Sequence, residues 1–317
     1  MTAELKPRID FDNRTKLETV IPLSTPYLIF LDPSDICNAK CRWCPTGSGE
    51  ALKYKKPQLM EKVLYKKIID GLCDMPEKIK TLRLYKDGEP LLNPYFPQMV
   101  KYAKDSGRFG QIDTTTNGTL LTPKKGYKIV GAGLDKIFIS VPNDYDQEYV
   151  DRVRNFYLHR DQCLVYVKII GDGMSCLDKE MFYNDFGTIS DRIFIENLAP
   201  CWPGFDVGKV GEKGIYNQEI KGEPMVCSYI FYSLSINSDG TVSLCFLDWK
   251  RDMILGDLKK ESFKDIWNGW KLHAYRTAHL RKLRKEVIVN CHYCGQLSHG
   301  APDDIDQYAD EILRRLT

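Results

Sequence analysis

The sequence predicts an α/β fold built on a mostly parallel sheet, with a small hairpin-and-helix extension behind it. Three observations carry that expectation. Short runs rich in β-branched and aromatic residues alternate about six times with longer stretches of helical period, as βα units do. The rhythm stops after Asn197, where the Pro/Gly-rich "APCWPGFDVGKVGEKG" begins. Beyond it, "YSLSINSDGTVSLC" reads as a β-hairpin that turns at Ser238-Asp239-Gly240.

The β runs are Tyr27–Leu31, Thr81–Tyr85, Gln111–Thr115, Lys136–Val141, Leu164–Ile170 and Arg192–Glu196. Each has strand length and strand composition. Between them, apolar residues recur at helical spacing over Glu61–Met75, Phe96–Ser106, Thr122–Ala132, Gln147–Arg160 and Asp178–Phe186. Six such units fit an incomplete barrel or an open doubly wound sheet, and the pattern alone leaves both open. After the hairpin, "SFKDIWNGWKLHAYRTAHLRKLR" predicts a helix, and a terminal helix is expected near Asp303–Arg315. The expected organisation is an arm over 1–25, a βα body over 26–222, the extension over 223–300 and a C-terminal helix over 301–317. No internal repeat or low-complexity tract interrupts it.

Composition narrows the partners. A chain of 317 residues with a formal charge of +2 has an ordinary globular balance. Its Lys and Arg are spread, so no nucleic-acid partner is expected. The polar opening "MTAELKPRIDFDNRTK" carries no secretory signal, and runs such as Tyr27–Leu31 are too short to span a bilayer. The expected location is the cytoplasm, with no membrane partner.

Eleven cysteines are many for a reducing compartment. Cys73, Cys163, Cys176 and Cys201 stand alone, and lone cysteines are usually small buried hydrophobes; Cys73 and Cys163 are expected to be buried. The other seven cluster as metal ligands do. Cys37, Cys41 and Cys44 lie in "DICNAKCRWCPTG", directly after the first β run. Structural zinc wants four ligands, and an iron–sulfur cube normally takes four thiolates as well. Three thiolates therefore suggest an iron left open for a substrate or cofactor, on the rim where βα folds gather their active sites. Cys227 and Cys245 form a C-x12-G-x4-C pattern around Gly240, followed by Cys291 and Cys294 in "NCHYCG". Four thiolates in two pairs describe either a fully ligated iron–sulfur cluster or a zinc ribbon.

CxxxCxxC with Trp43 before the last cysteine resembles the signature of the radical S-adenosylmethionine (radical SAM) enzymes. The resemblance implies a partial (β/α)6 barrel and a 4Fe–4S cluster held by Cys37, Cys41 and Cys44. It further implies that the open iron binds SAM, whose reductive cleavage gives a hydrogen-abstracting 5′-deoxyadenosyl radical. Successive loops fit the resemblance over roughly 26–197. Gly88-Glu89-Pro90 resembles the GGE motif that holds the methionyl amine, with Asp87 where a first glycine is commoner. Thr116-Asn117-Gly118 resembles the TNG segment, and Ser140 a serine that contacts ribose or carboxylate. Arg152 or Arg154 then becomes a candidate partner of the methionyl carboxylate.

The second cysteine group resembles the SPASM/twitch extension of that family, in its one-cluster twitch form. Its spacing is similar to that of the 2-deoxy-scyllo-inosamine dehydrogenase branch. The resemblance implies an auxiliary 4Fe–4S cluster as electron acceptor and a one-electron donor such as flavodoxin or ferredoxin. The expected reaction is oxidation of an alcohol to a ketone on a small polar substrate: a sugar, aminocyclitol or nucleotide sugar. Lys168 and Glu196 are candidates for the deprotonation it needs. The alternatives are an epimerase with Cys201 as hydrogen-atom donor, a peptide-modifying enzyme, and a non-catalytic iron–sulfur or zinc scaffold. The short stretch before the first β run leaves no room for a leader-binding domain, which counts against the peptide. Glu89, Asn117 and Ser140 count against the scaffold, which needs only the cysteines.

Overall fold

The computed structural model describes residues 3–10 and 14–316. Its strands are β1 (Glu4–Leu5), β2 (Leu28–Leu31), β3 (Ile79–Arg83), β4 (Phe109–Thr116), β5 (Lys136–Ser140), β6 (Leu164–Ile170), β7 (Arg192–Glu196), β8 (Ser233–Ile236), β9 (Thr241–Ser243) and β10 (Ile254–Asp257). They form one sheet in the order β1-β7-β6-β5-β4-β3-β2-β8-β9-β10. Every neighbouring pair from β1 across to β8 is parallel, and β8, β9 and β10 are antiparallel. β2 and β7 do not pair with each other, so the six-strand barrel stays open and β8 and β1 extend its edges. The fold is the partial barrel, not the doubly wound sheet.

Five helices cross between successive barrel strands: Lys62–Leu72, Phe96–Asp105, Pro123–Gly131, Gln147–Leu158 and Cys176–Phe186. Their starts follow from local chemistry. The Thr122 hydroxyl accepts from the Lys125 N–H ahead of Pro123, the Asp146 carboxylate accepts from Tyr149, and Ser175 forms a reciprocal capping box with Asp178. The helices bury faces such as Ile68, Ile69 and Leu72 against strand residues such as Leu82, Ile137 and Ile169, all at most 2% exposed. Full burial of each such side chain is worth about 1.5–3 kcal/mol.

The opposite face of the strands is polar. Arg83, Asp113, Lys136, Lys168 and Glu196 alternate with the apolar positions and line a cavity of about 730 Å³. A barrel interior is ordinarily filled by branched apolar side chains. This one is kept open, at a size suited to a small-molecule site.

The extension is more continuous with the barrel than the sequence suggests. β8 pairs in parallel with β2, from Leu28↔Ser233 to Leu31↔Ile236, so the hairpin prolongs the sheet. The long helix expected after it breaks at Asn268-Gly269 into Phe263–Trp267 and Trp270–Leu280, and the last helix spans Ala309–Leu316. Cys163 is buried as expected, but Cys73 is exposed at the end of its helix, a correction to the expected burial. Among the described residues no helix is long and apolar enough to cross a membrane.

Candidate active site

The loop after β2 brings Cys37, Cys41 and Cys44 to the cavity wall, together with Trp43. The thiols are close enough to influence one another electrostatically. Burial raises each of them, while the Ala39 N–H, at 3.4 Å from the Cys37 sulfur, and the N–H groups of Thr46 and Gly47 at Cys44 favour the thiolate. The loop is wound tightly: a Cβ on Gly47 would lie 2.7 Å from the Cys41 nitrogen. Three thiols on one cavity wall, with backbone donors at the sulfurs of Cys37 and Cys44, suit an iron–sulfur cluster with one open iron.

The next strand ends are tied to this loop. A Cβ on Gly88 would overlap the backbone oxygens of Ser34 and Ile36, so only glycine lets the two loops touch. The Glu89 N–H donates to the Ile36 carbonyl at 2.8 Å. The Glu89 side chain is 2% exposed and accepts from Leu91 N–H (3.0 Å), the Thr116 hydroxyl (2.7 Å) and Asn117 N–H (2.8 Å). Burial pushes its carboxyl up against those donors. Asn117 also donates to Asn38 at 2.9 Å, joining the loop after β4 to the cluster loop. Ser140 lines the same cavity at the end of β5.

Asp87 has its own buried partners. It accepts from Lys55 and from Lys86 at 2.9 Å, and all three side chains are at most 3% exposed. The Asp87 carboxylate is the counter-ion that these two buried lysines need. Neither lysine was legible as part of the site.

Lys168 and Glu196, candidates on separate strands, meet in the lumen at 2.5 Å. Arg8 completes a triad, with its Nε 3.4 Å from the other Glu196 oxygen. Burial alone would raise the Glu196 carboxyl, but Lys168 and Arg8 outweigh it and hold it below its usual range. Arg152 and Arg154 do not reach the cavity. They pair on their own helix with Glu148 at 2.7 Å and Asp151 at 2.5 Å. The helix buries Tyr149, Val150, Val153 and Phe156; Arg154 is exposed, and Arg152 lies half-buried at the flank, over the Tyr149 ring at 6.0 Å.

Cys227, Cys245 and the Cys291–Cys294 pair come from three segments of the extension, near enough for mutual electrostatic influence. Burial raises all four, and a bound metal centre would hold them as thiolates instead. Cys201 is buried at the cavity wall in a small apolar cluster that also touches Cys245 and Cys294. The Cys294 thiol approaches the Cys201 carbonyl at 3.8 Å. Two polar bridges join this region to the barrel. Lys86 donates to the Asp248 carbonyl (3.3 Å), and Asp248 accepts from Asn290, beside Cys291. Arg251 donates to both Asp35, at the entry to the cluster loop, and Asp239 in the hairpin turn, each at 2.6 Å.

Residues 31–162 match the radical SAM superfamily, and residues 227–295 match SPASM, an iron–sulfur cluster-binding domain. The chain carries a radical SAM domain and, behind it, a SPASM domain. Its cofactors are accordingly SAM with a 4Fe–4S cluster, and auxiliary iron–sulfur in the SPASM domain. In sequence it is 32% identical over 113 residues to a GTP 3′,8-cyclase of Synechococcus sp. (strain WH7803), a match spanning 33% of this chain and 30% of that one. In structure it is similar to BtrN in complex with AdoMet and 2-DOIA, with a TM-score of 0.61 at 19% identity, over 88% of this chain and 97% of that chain. It is also similar to Streptococcus suis SuiB bound to precursor peptide SuiA, with a TM-score of 0.61 at 14% identity, over 90% of this chain and 73% of that one. At such identities the structural likeness speaks for the fold.

Proposed function

We propose that this radical SAM protein oxidises a carbinol on a small polar substrate to a ketone. The observation that carries the reading is a single cavity onto which the three-thiol loop, Glu89, Ser140 and the Lys168–Glu196 pair all face. In this reading Cys37, Cys41 and Cys44 hold the SAM-binding cluster, and Cys227, Cys245, Cys291 and Cys294 an auxiliary one. Glu89, Thr116, Asn117 and Ser140 line the SAM subsite, with Trp43, Gly88 and Pro90 shaping it and Asp87 bracing it through Lys55 and Lys86. When bound, SAM and its cluster supply a hydrogen-abstracting radical, and the auxiliary cluster supplies an acceptor for the substrate's second electron. A flavodoxin- or ferredoxin-like donor provides the reducing electron.

The chain's own residues manage the proton. A hydroxyl on a carbon-centred radical is far more acidic than an ordinary alcohol, so a weak base suffices. Glu196, held ionised by Lys168 and Arg8, accepts that proton, while Lys168 orients the substrate oxygen by donating to it. The overall balance is one hydrogen atom, one proton and one electron removed, which leaves a product two mass units lighter.

A second reading has its own observation: Cys201 is a buried thiol on the cavity wall, in position to return a hydrogen atom and so epimerise the substrate carbon. The two readings separate on anaerobic incubation with SAM, a reductant and candidate sugars in deuterated solvent. Oxidation gives 5′-deoxyadenosine and a product lighter by two mass units without solvent deuterium, and Cys201→Ala keeps most of the turnover. Product of unchanged hydrogen count, carrying solvent deuterium and lost in Cys201→Ala, would replace oxidation by epimerisation.

A further inference from the structure

We propose that the lumen contains an oxyanion subsite, built by Arg8 and Arg83, that holds a phosphate or carboxylate group of the substrate. The inference rests on reading this cavity as the substrate site. Arg8 comes from the N-terminal arm and reaches into the lumen beside β7. Its contacts, to Glu196 and to the Tyr216 hydroxyl, are both made by Nε at 3.4 Å. The Nη1 and Nη2 donors have no hydrogen-bond partner among the described residues. Arg83, on β3, is held as loosely. Its Nε stands 3.4 Å from Asp113 and is buried without a hydrogen bond, while the guanidinium lies over the Phe30 ring at 5.5 Å. The two cations feel each other across the lumen, and both feel Tyr85.

Charge counting points the same way. Among the described residues of this layer, Arg8, Arg83, Lys136 and Lys168 face Asp113, Glu196 and, at Lys136, Asp10, which is shared with Arg192 at 2.8 Å, so the cations outnumber the carboxylates. Half-buried cations in excess of their counter-ions favour an anion that joins them, and the guanidinium fork fits planar or tetrahedral oxyanions in bidentate fashion. An aminated ring would meet repulsion here. The substrate class narrows to a phosphorylated sugar, a nucleotide sugar or a sugar acid.

The test is isothermal titration of the anaerobically reconstituted protein, with SAM present, using glucose 1-phosphate, glucuronate, glucose and glucosamine. At least one anionic sugar should bind about tenfold or more tightly than glucose, and glucosamine more weakly. The phosphate and carboxylate arms reveal which group the subsite takes. Arg8→Gln should abolish that advantage and Arg8→Lys should keep part of it; Arg83→Gln is the parallel variant, with iron content as the check on folding. Equal binding of glucose and both anions, or an advantage that survives both glutamine variants, would overturn the proposal. Binding needs no turnover, so a failure of the oxidation reading leaves this result intact.

A different observation carries a second inference. His279 is fully buried and bridges two of the auxiliary cysteines: its Nδ1 lies 3.2 Å from the Cys227 N–H and its Nε2 3.8 Å from the Cys291 sulfur. A backbone N–H can only donate, so Nδ1 accepts and the ring hydrogen sits on Nε2, aimed at the sulfur. We infer that His279 is a positioning residue that raises the reduction potential of the auxiliary cluster by an N–H···S bond. His279→Leu should keep the iron and lower the midpoint potential read by redox titration with EPR, while His279→Gln, which can retain a donor, should stay near wild type. An unchanged potential in an iron-replete His279→Leu protein, or zinc at this site, would overturn it.

Discussion

Replacing Cys37, Cys41 and Cys44 together by Ala is expected to abolish 5′-deoxyadenosine formation and to leave about half of the iron. The wild-type chain, reconstituted anaerobically, should hold about eight irons if both sites carry four-iron cubes. The three thiols are only partly buried, and they hang on a loop fastened independently through Gly88, Glu89 and Asn38. Their removal should therefore cost the fold little while removing the whole first metal site. Iron analysis, with 5′-deoxyadenosine measured by chromatography, reads both effects. A variant that loses all its iron would mean the two sites are not independent. Zinc in place of the second half would return the extension to a zinc ribbon.

The barrel was legible because its signals are local. Strands such as Lys136–Ser140 and Arg192–Glu196 carry their own β composition, and Thr122-Pro123 and Ser175-x-x-Asp178 mark helix starts by capping chemistry. The two-residue strand Glu4–Leu5 escapes such reading: it is too short to show a period and exists only because β7 offers it an edge. Arg8 follows it and was invisible for the same reason, since a polar arm looks solvated until its tertiary partner is known. The cysteine spacing predicted which thiols gather, but not the braces between them. Lys86, Asp248 and Asn290 lie far apart in sequence, as do Asp35 and Arg251, and only the fold brings them together. Arg152 and Arg154 show the opposite case. Motif resemblance points to them, yet the apolar register of their own helix leaves both off its buried face.

Glu196→Gln should lower ketone formation by about 10²- to 10⁴-fold while 5′-deoxyadenosine continues to form. The substitution keeps the shape of the side chain and removes its charge and its capacity to take a proton. The SAM subsite, on β2 to β5, is left untouched, so the radical is still generated and is spent without product. Leaving Lys168 and Arg8 without their carboxylate also destabilises the lumen, by up to about 3–5 kcal/mol if the pair is as buried as its 2.5 Å contact and low exposure indicate. Thermal unfolding of the variant separates that loss from the chemical one. The pH dependence gives an independent handle. Because Lys168 and Arg8 hold the Glu196 carboxyl below its ordinary value, its base form persists as pH falls past the usual glutamate range near about 4.3. The stabilisation it lends the fold is present above that value and fades only as pH drops through the lower, folded-state one. Product formation per 5′-deoxyadenosine should therefore stay level from neutral pH down to about 5, with no acid limb assignable to this group. If Glu196→Gln keeps its ratio of ketone to 5′-deoxyadenosine within about threefold of wild type, the carboxylate is only a counter-ion, and the proton must leave by another route.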